Sequence, residues 1–137
     1  MNKMYLGYII DKSQRDKNIF SQLTISNQKK VWLGFITIYE IKVNADDINS
    51  LIRKLQENMV THIAFVKQEF YVHFYCENEL IVVFKEKVFH ITTDKITWTE
   101  AIAYGRSLGI REKQLDFLSP EENKRRYFNV VGEVSKN

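Results

Sequence analysis

The 137-residue chain is poor in cysteine, proline and glycine, with one, one and five of them. The lone thiol, Cys76, excludes an internal disulfide and a cysteine-built zinc site. One thiol also fits a reducing compartment, so a cytoplasmic location is expected. With so few glycines and prolines there are few obligatory corners, and connections should be short or helical. No apolar run approaches the ~20 residues that a membrane-spanning helix needs. Lys3 does precede the apolar run Met4 to Ile10, but Asp11 ends it too soon for a signal peptide. No membrane partner is expected.

Charge of one sign is also scarce. The formal net charge is +3, and the basic residues are spread from Lys3 to Lys136, with one dense run at Lys124-Arg125-Arg126. Nucleic-acid binders concentrate basic residues in a stripe, because phosphate contacts dominate their affinity. The charge here permits such a partner without pointing to one. Glycine-rich phosphate loops, a nucleophile elbow, internal repeats and low-complexity segments are all missing. No cofactor is expected.

What remains is a globular composition, 45% hydrophobic and 27% charged, which argues against disorder and for one domain over residues 1–128. The tail 129–137 has few apolar anchors and is expected to be loose. The strongest pattern is a three-stranded meander over residues 70–92. β-Branched and aromatic residues fill its runs, and polar residues interrupt them after Cys76 and Lys85. Two further β regions are expected near 5–10 and 31–43, with Gly34 marking a bulge or bend in the second. A short strand at 23–26 would be followed by a turn at 27–30. Residues 60–69 are ambiguous between helix, edge strand and flap.

Helical spacing is clearest over 45–60. Ile48, Leu51, Ile52, Leu55 and Met59 form one stripe, with Asn44 as a cap and Asp47 in the first turn. A second helix at 98–108 carries a Thr97/Glu100 capping box and a Gly109 stop, with Ile110 placed for the accompanying apolar contact. Ser119-Pro120-Glu121-Glu122 opens a short third helix, about 120–127. The fold class is therefore α+β, a mainly antiparallel sheet with both main helices on one face. The order of strands and helices resembles a ferredoxin-like topology that lacks a closing strand after the second helix.

Register then divides the meander. A three-residue loop at Glu77–Glu79 and a two-residue turn at Glu86–Lys87 would put Phe70, Val72, Phe74, Cys76, Leu80, Val82, Phe84, Phe89 and Ile91 on an apolar core face. Tyr71, His73, Tyr75, Lys85 and His90 would share the other, semi-polar face. Those five are the candidate binding residues, for a protein partner, a second copy of the chain or stacked bases. The competing reading is that the chain's own N-terminal segments cover that face. With that face free to bind, the protein is expected to be a non-enzymatic binding or assembly module. The alternative is a metal-dependent enzyme. Glu40-Ile41-Lys42 has the carboxylate–lysine spacing of a nuclease strand, but no convincing partner aspartate lies upstream. His73 and His90, two strands apart, are poorly spaced for zinc. Cys76 on a core face behaves as a small hydrophobe.

Overall fold

The computed structural model describes residues 3–31, 33–117 and 119–128; the expected loose tail lies outside them. The chain opens with strand β1 (Met4–Ile10), followed by two 3-10 turns, then β2 (Thr24–Val31) and β3 (Ile36–Asn44). Helix α1 (Ile48–Asn58) leads to a small hairpin, β4 (His62–Ile63) and β5 (Val66–Lys67). The meander follows as β6 (Tyr71–Cys76), β7 (Glu79–Phe84) and β8 (Val88–Thr92). Helices α2 (Thr99–Ser107) and α3 (Pro120–Asn123) close the described chain, with Lys124–Phe128 continuing as a wider π turn.

The principal sheet runs β2-β3-β1-β6-β7-β8, and every adjacent pair is antiparallel. The architecture is thus α+β around one antiparallel sheet. β3 and β6 are both antiparallel to β1, so they run parallel to each other with β1 between them, joined by the crossover through α1. That split β-α-β portion matches the ferredoxin-like expectation; the second helix does not.

The helices lie on opposite faces. Ile48, Ile52, Leu55 and Met59 pack with Tyr5, Ile9, Ile41, Val72, Phe74, Cys76, Ile81 and Val83. Trp98, Ala101, Ile110, Leu115 and Phe117 pack with Tyr75, Leu80, Val82 and Phe84. Since strand residues alternate faces, these are the two sides of one sheet. The expectation of both helices on one face is corrected by a simple cause: β7 is apolar on both sides, and β6 beside it is apolar on one side and carries the rings of Tyr71, His73 and Tyr75 on the other, so each side has to be covered.

Local signals fared unevenly. Gly109, at φ +93°, closes α2 with the paired C-terminal hydrogen bonds Ile110 N–H to Gly105 O and Gly109 N–H to Arg106 O, and Ile110 is buried. Ser119 and Glu122 form the capping box of α3. Thr97 and Glu100 do not form one: a 3-10 turn begins earlier, at Lys95, with the Asp94 carboxylate accepting from Ile96 N–H. Asn44 makes no side-chain cap, because a 3-10 turn at Ala45–Asp47 precedes α1.

The region 23–43 is a hairpin, and its turn is not at 27–30. β2 runs through those polar residues, which suit an exposed edge strand, with a bulge between Ile25 and Asn27. The reversal comes at Leu33 (φ +59°) and Gly34 (φ +88°).

Candidate functional site

The meander register decides where the five candidate residues go. Cys76 pairs with Glu79, so the first turn is the two residues Glu77 and Asn78, with Glu77 at φ +55°. The three-residue loop expected from sequence is one residue too long, and that slip turns β6 over relative to β7. The second turn is Lys85–Glu86, with Phe84 and Lys87 exchanging both backbone hydrogen bonds. This differs from the expected pairing by an even number of positions and leaves β7 and β8 facing as expected.

Tyr71, His73 and Tyr75 therefore lie opposite Phe84, Val82 and Leu80, on the α2 side of the sheet. Lys85 and His90 belong to the other side. The Lys85 ammonium donates to the carbonyls of Gln56 (3.1 Å) and Met59 (2.7 Å), closing the C-terminal end of α1. His90 is exposed on the edge strand opposite Ile81. The five do not form one face. His73 and His90, once weighed as a pair, are on opposite sides, and the described residues hold no metal-binding cluster of His, Cys, Asp and Glu.

Tyr71, His73 and Tyr75 sit among aromatic rings. His73 is 5.5 Å from Tyr8, 5.7 Å from Tyr71 and from Tyr75, and 6.2 Å from Phe117, centroid to centroid. The Tyr75 hydroxyl donates to the Phe117 carbonyl, and burial pushes its pKa up. The Tyr71 hydroxyl donates to the Gln114 carbonyl at 2.5 Å. The segment after α2 thus covers this face. The competing expectation, cover by the N-terminal strands and loops, is not what lies over Tyr71 and Tyr75; β1 is a sheet neighbour of β6 that brings Tyr8 to the same side.

Where that cover ends, a cleft of about 260 Å³ remains. Ile10, Ile36, Ile38, Ile63, Phe70 and Ile110 supply apolar walls. Tyr8, Tyr71, His73 and Asn123 bring polar atoms to the lining, with Asp116 and Arg126 also present. β1 and β3 place Ile10 and Ile38 directly opposite each other, pointing to the same side as Tyr8 and His73, which are themselves paired. The Asp116 carboxyl is raised, chiefly by burial, and Arg126 at 3.6 Å pulls the other way. The Tyr8 hydroxyl donates to Glu40 Oε2 at 2.7 Å; burial first, and that carboxylate second, push its pKa well up.

Glu40 is thereby engaged, since its other oxygen accepts from the Ser26 hydroxyl at 2.7 Å. Of the two aspartates upstream of Glu40, Asp11 accepts from Thr37 N–H at 3.1 Å and Asp16 caps a 3-10 turn by accepting from Asn18 N–H at 2.9 Å. Glu40 and Lys42 share the Tyr8 side of the sheet, and among the described residues no metal-binding cluster includes Glu40. Cys76 is buried against α1, with its pKa raised chiefly by burial.

Sequence reasoning found two of the lining residues, Tyr71 and His73, and missed Tyr8, Asp116 and Asn123. The missed residues come from β1, from the loop after α2 and from α3, and no local spacing links them. No family model, curated protein or solved structure matches the chain.

Proposed function

We propose that the protein is a non-enzymatic binding module whose ligand occupies the Ile38/His73 cleft. The carrying observation is the combination of an isoleucine-walled cleft with a few convergent polar groups. Small-molecule sites are built in that way, with apolar walls supplying affinity and a few polar atoms fixing orientation. The ligand class that fits is a small amphipathic molecule, or a side chain of a partner, with a compact apolar body and one polar group. The polar groups around the cleft favour holding over chemistry: Tyr8 is tied to Glu40, Tyr71 to Gln114 and Asp116 to Arg126.

Screening small amphipathic fragments against isotope-labelled protein by NMR tests the reading. Binders should shift the amides of Ile10, Ile38, Ile63 and His73 together. Ile63 is a partly exposed wall residue, so Ile63→Trp should narrow the cleft and weaken those binders without unfolding the domain. Binders that map to other surfaces, or that are indifferent to Ile63→Trp, would remove the proposal.

A further inference from the structure

Two turns carry apolar side chains straight into solvent. Leu33 is 98% and Phe35 72% exposed in the turn between β2 and β3. At the tip of the β4–β5 hairpin Phe65 is 100% exposed, and Val66 beside it 64%. The hairpin tip is held by Ala64 at φ +55°, and the other turn by Leu33 and Gly34. Both turns are at one end of the molecule, since Ile36, next to Phe35, and Ile63, next to Ala64, line the same cleft. Scattered surface apolar residues are common in proteins, but two neighbouring turns that both expose large apolar side chains at their tips are not scatter.

The exposed charge on β2 behind the first tip is basic, while Asp11 is held by Thr37 N–H across the sheet. Between Lys17 and Tyr39 the sequence contains Lys17, Lys29 and Lys30 and no Asp or Glu. Lys29 and Lys30 are exposed on β2, opposite Ile38 and Thr37. At ~3.4 Å per strand residue they lie roughly 10 Å behind the turn. Lys67, in the hairpin, pairs with Glu69 at 2.8 Å, so the second tip adds apolar surface more than charge. Narrow protruding tips with a basic collar suit a soft apolar phase beneath an anionic layer. Interfacial anchors bury their apolar groups some 5–10 Å deep while cations remain at the headgroups. A folded partner would instead need a shaped recess for each tip.

We propose that the Leu33/Phe35 and Phe65/Val66 tips insert into the surface of an anionic lipid bilayer, with Lys29 and Lys30 at the headgroups. This docking does not depend on what the cleft binds. Co-sedimentation of the full chain with vesicles tests it, comparing phosphatidylcholine alone with an equal mixture of phosphatidylcholine and phosphatidylglycerol. Binding should favour the anionic vesicles and weaken with added salt. The Phe35→Ser/Phe65→Ser variant, whose sites are outside both cores, should keep its circular dichroism spectrum and lose about tenfold or more in partitioning. Lys29→Glu/Lys30→Glu should lose the preference for anionic vesicles.

Failure of the parent protein to bind anionic vesicles overturns the proposal. So does equal binding by the Phe35→Ser/Phe65→Ser variant, or an intact anionic preference in Lys29→Glu/Lys30→Glu. If the parent ignores vesicles but self-associates, and Phe35→Ser/Phe65→Ser abolishes that, the tips serve a second copy of the chain and the lipid assignment is wrong.

Discussion

Glu79 shows how one residue's position in the sheet sets its chemistry. Read as part of a loop, it would be an ordinary solvated carboxylate. As the first residue of β7 it accepts a hydrogen bond from the Tyr5 hydroxyl at 2.7 Å, and the Lys3 ammonium lies 3.4 Å away. That phenolic hydrogen bond is the main cause holding the Glu79 carboxyl below its usual range. Tyr5 in turn is pushed up to about 12, by burial and then by Glu79, so it stays a neutral donor throughout the acid range. A depressed carboxyl pKa gives stability that is present above the unfolded-state value of ~4.3 and is lost as pH falls through the folded value. Tyr5→Phe should move the Glu79 midpoint up toward ~4.3 and reduce this acid-side loss. A carboxyl carbon NMR titration reads the midpoint directly; an unmoved midpoint would assign the depression to Lys3 instead.

At the scale of the elements, the close approach of β1 to β6 depends on Gly7. It pairs with Phe74, and a Cβ built at Gly7 would lie 2.4 Å from two carbons of that ring. Phe74 is fully buried among the α1-side residues and has little room to yield. Gly7→Ala should therefore destabilise the domain by roughly 1–3 kcal/mol, the usual cost of overpacking a core. Urea unfolding measures this; a neutral effect would mean that the ring relocates freely. Element identity was largely legible in the sequence, through the stripe of α1, the Gly109 stop, the Ser119 capping box and the three runs of the meander. Boundaries were less so, because Asn44 and Thr97 look like caps until 3-10 turns at 45–47 and 95–98 move the helix starts.

Taken whole, the described chain is built on one six-stranded sheet with a core on each side, and β6 and β7 feed alternate residues to both cores. Neither core can dissolve without exposing the backs of strands that the other needs. Unfolding should accordingly be a single cooperative event. Trp98 is buried beside Phe117, with ring centroids 5.1 Å apart, and its fluorescence reports the α2 side. In a Trp32→Phe background, the Trp98 transition should coincide with loss of far-ultraviolet circular dichroism. Separate midpoints would show that the two sides unfold independently.

The sequence by itself determined the class of the protein, because hydrophobic periodicity and turn chemistry are local properties. They mark an α+β chain with an antiparallel meander and two main helices, and they pick out Tyr71 and His73. Tertiary structure alone decided which side of the sheet those residues occupy and what surrounds them. A two-residue turn and a three-residue turn at Glu77 are nearly indistinguishable in sequence, yet they differ by one residue in register and so by a whole face. That single residue parts Lys85 and His90 from Tyr71, His73 and Tyr75. The cleft, too, exists only in three dimensions, where β1, β3, β6, the loop after α2 and α3 meet across more than a hundred residues of chain.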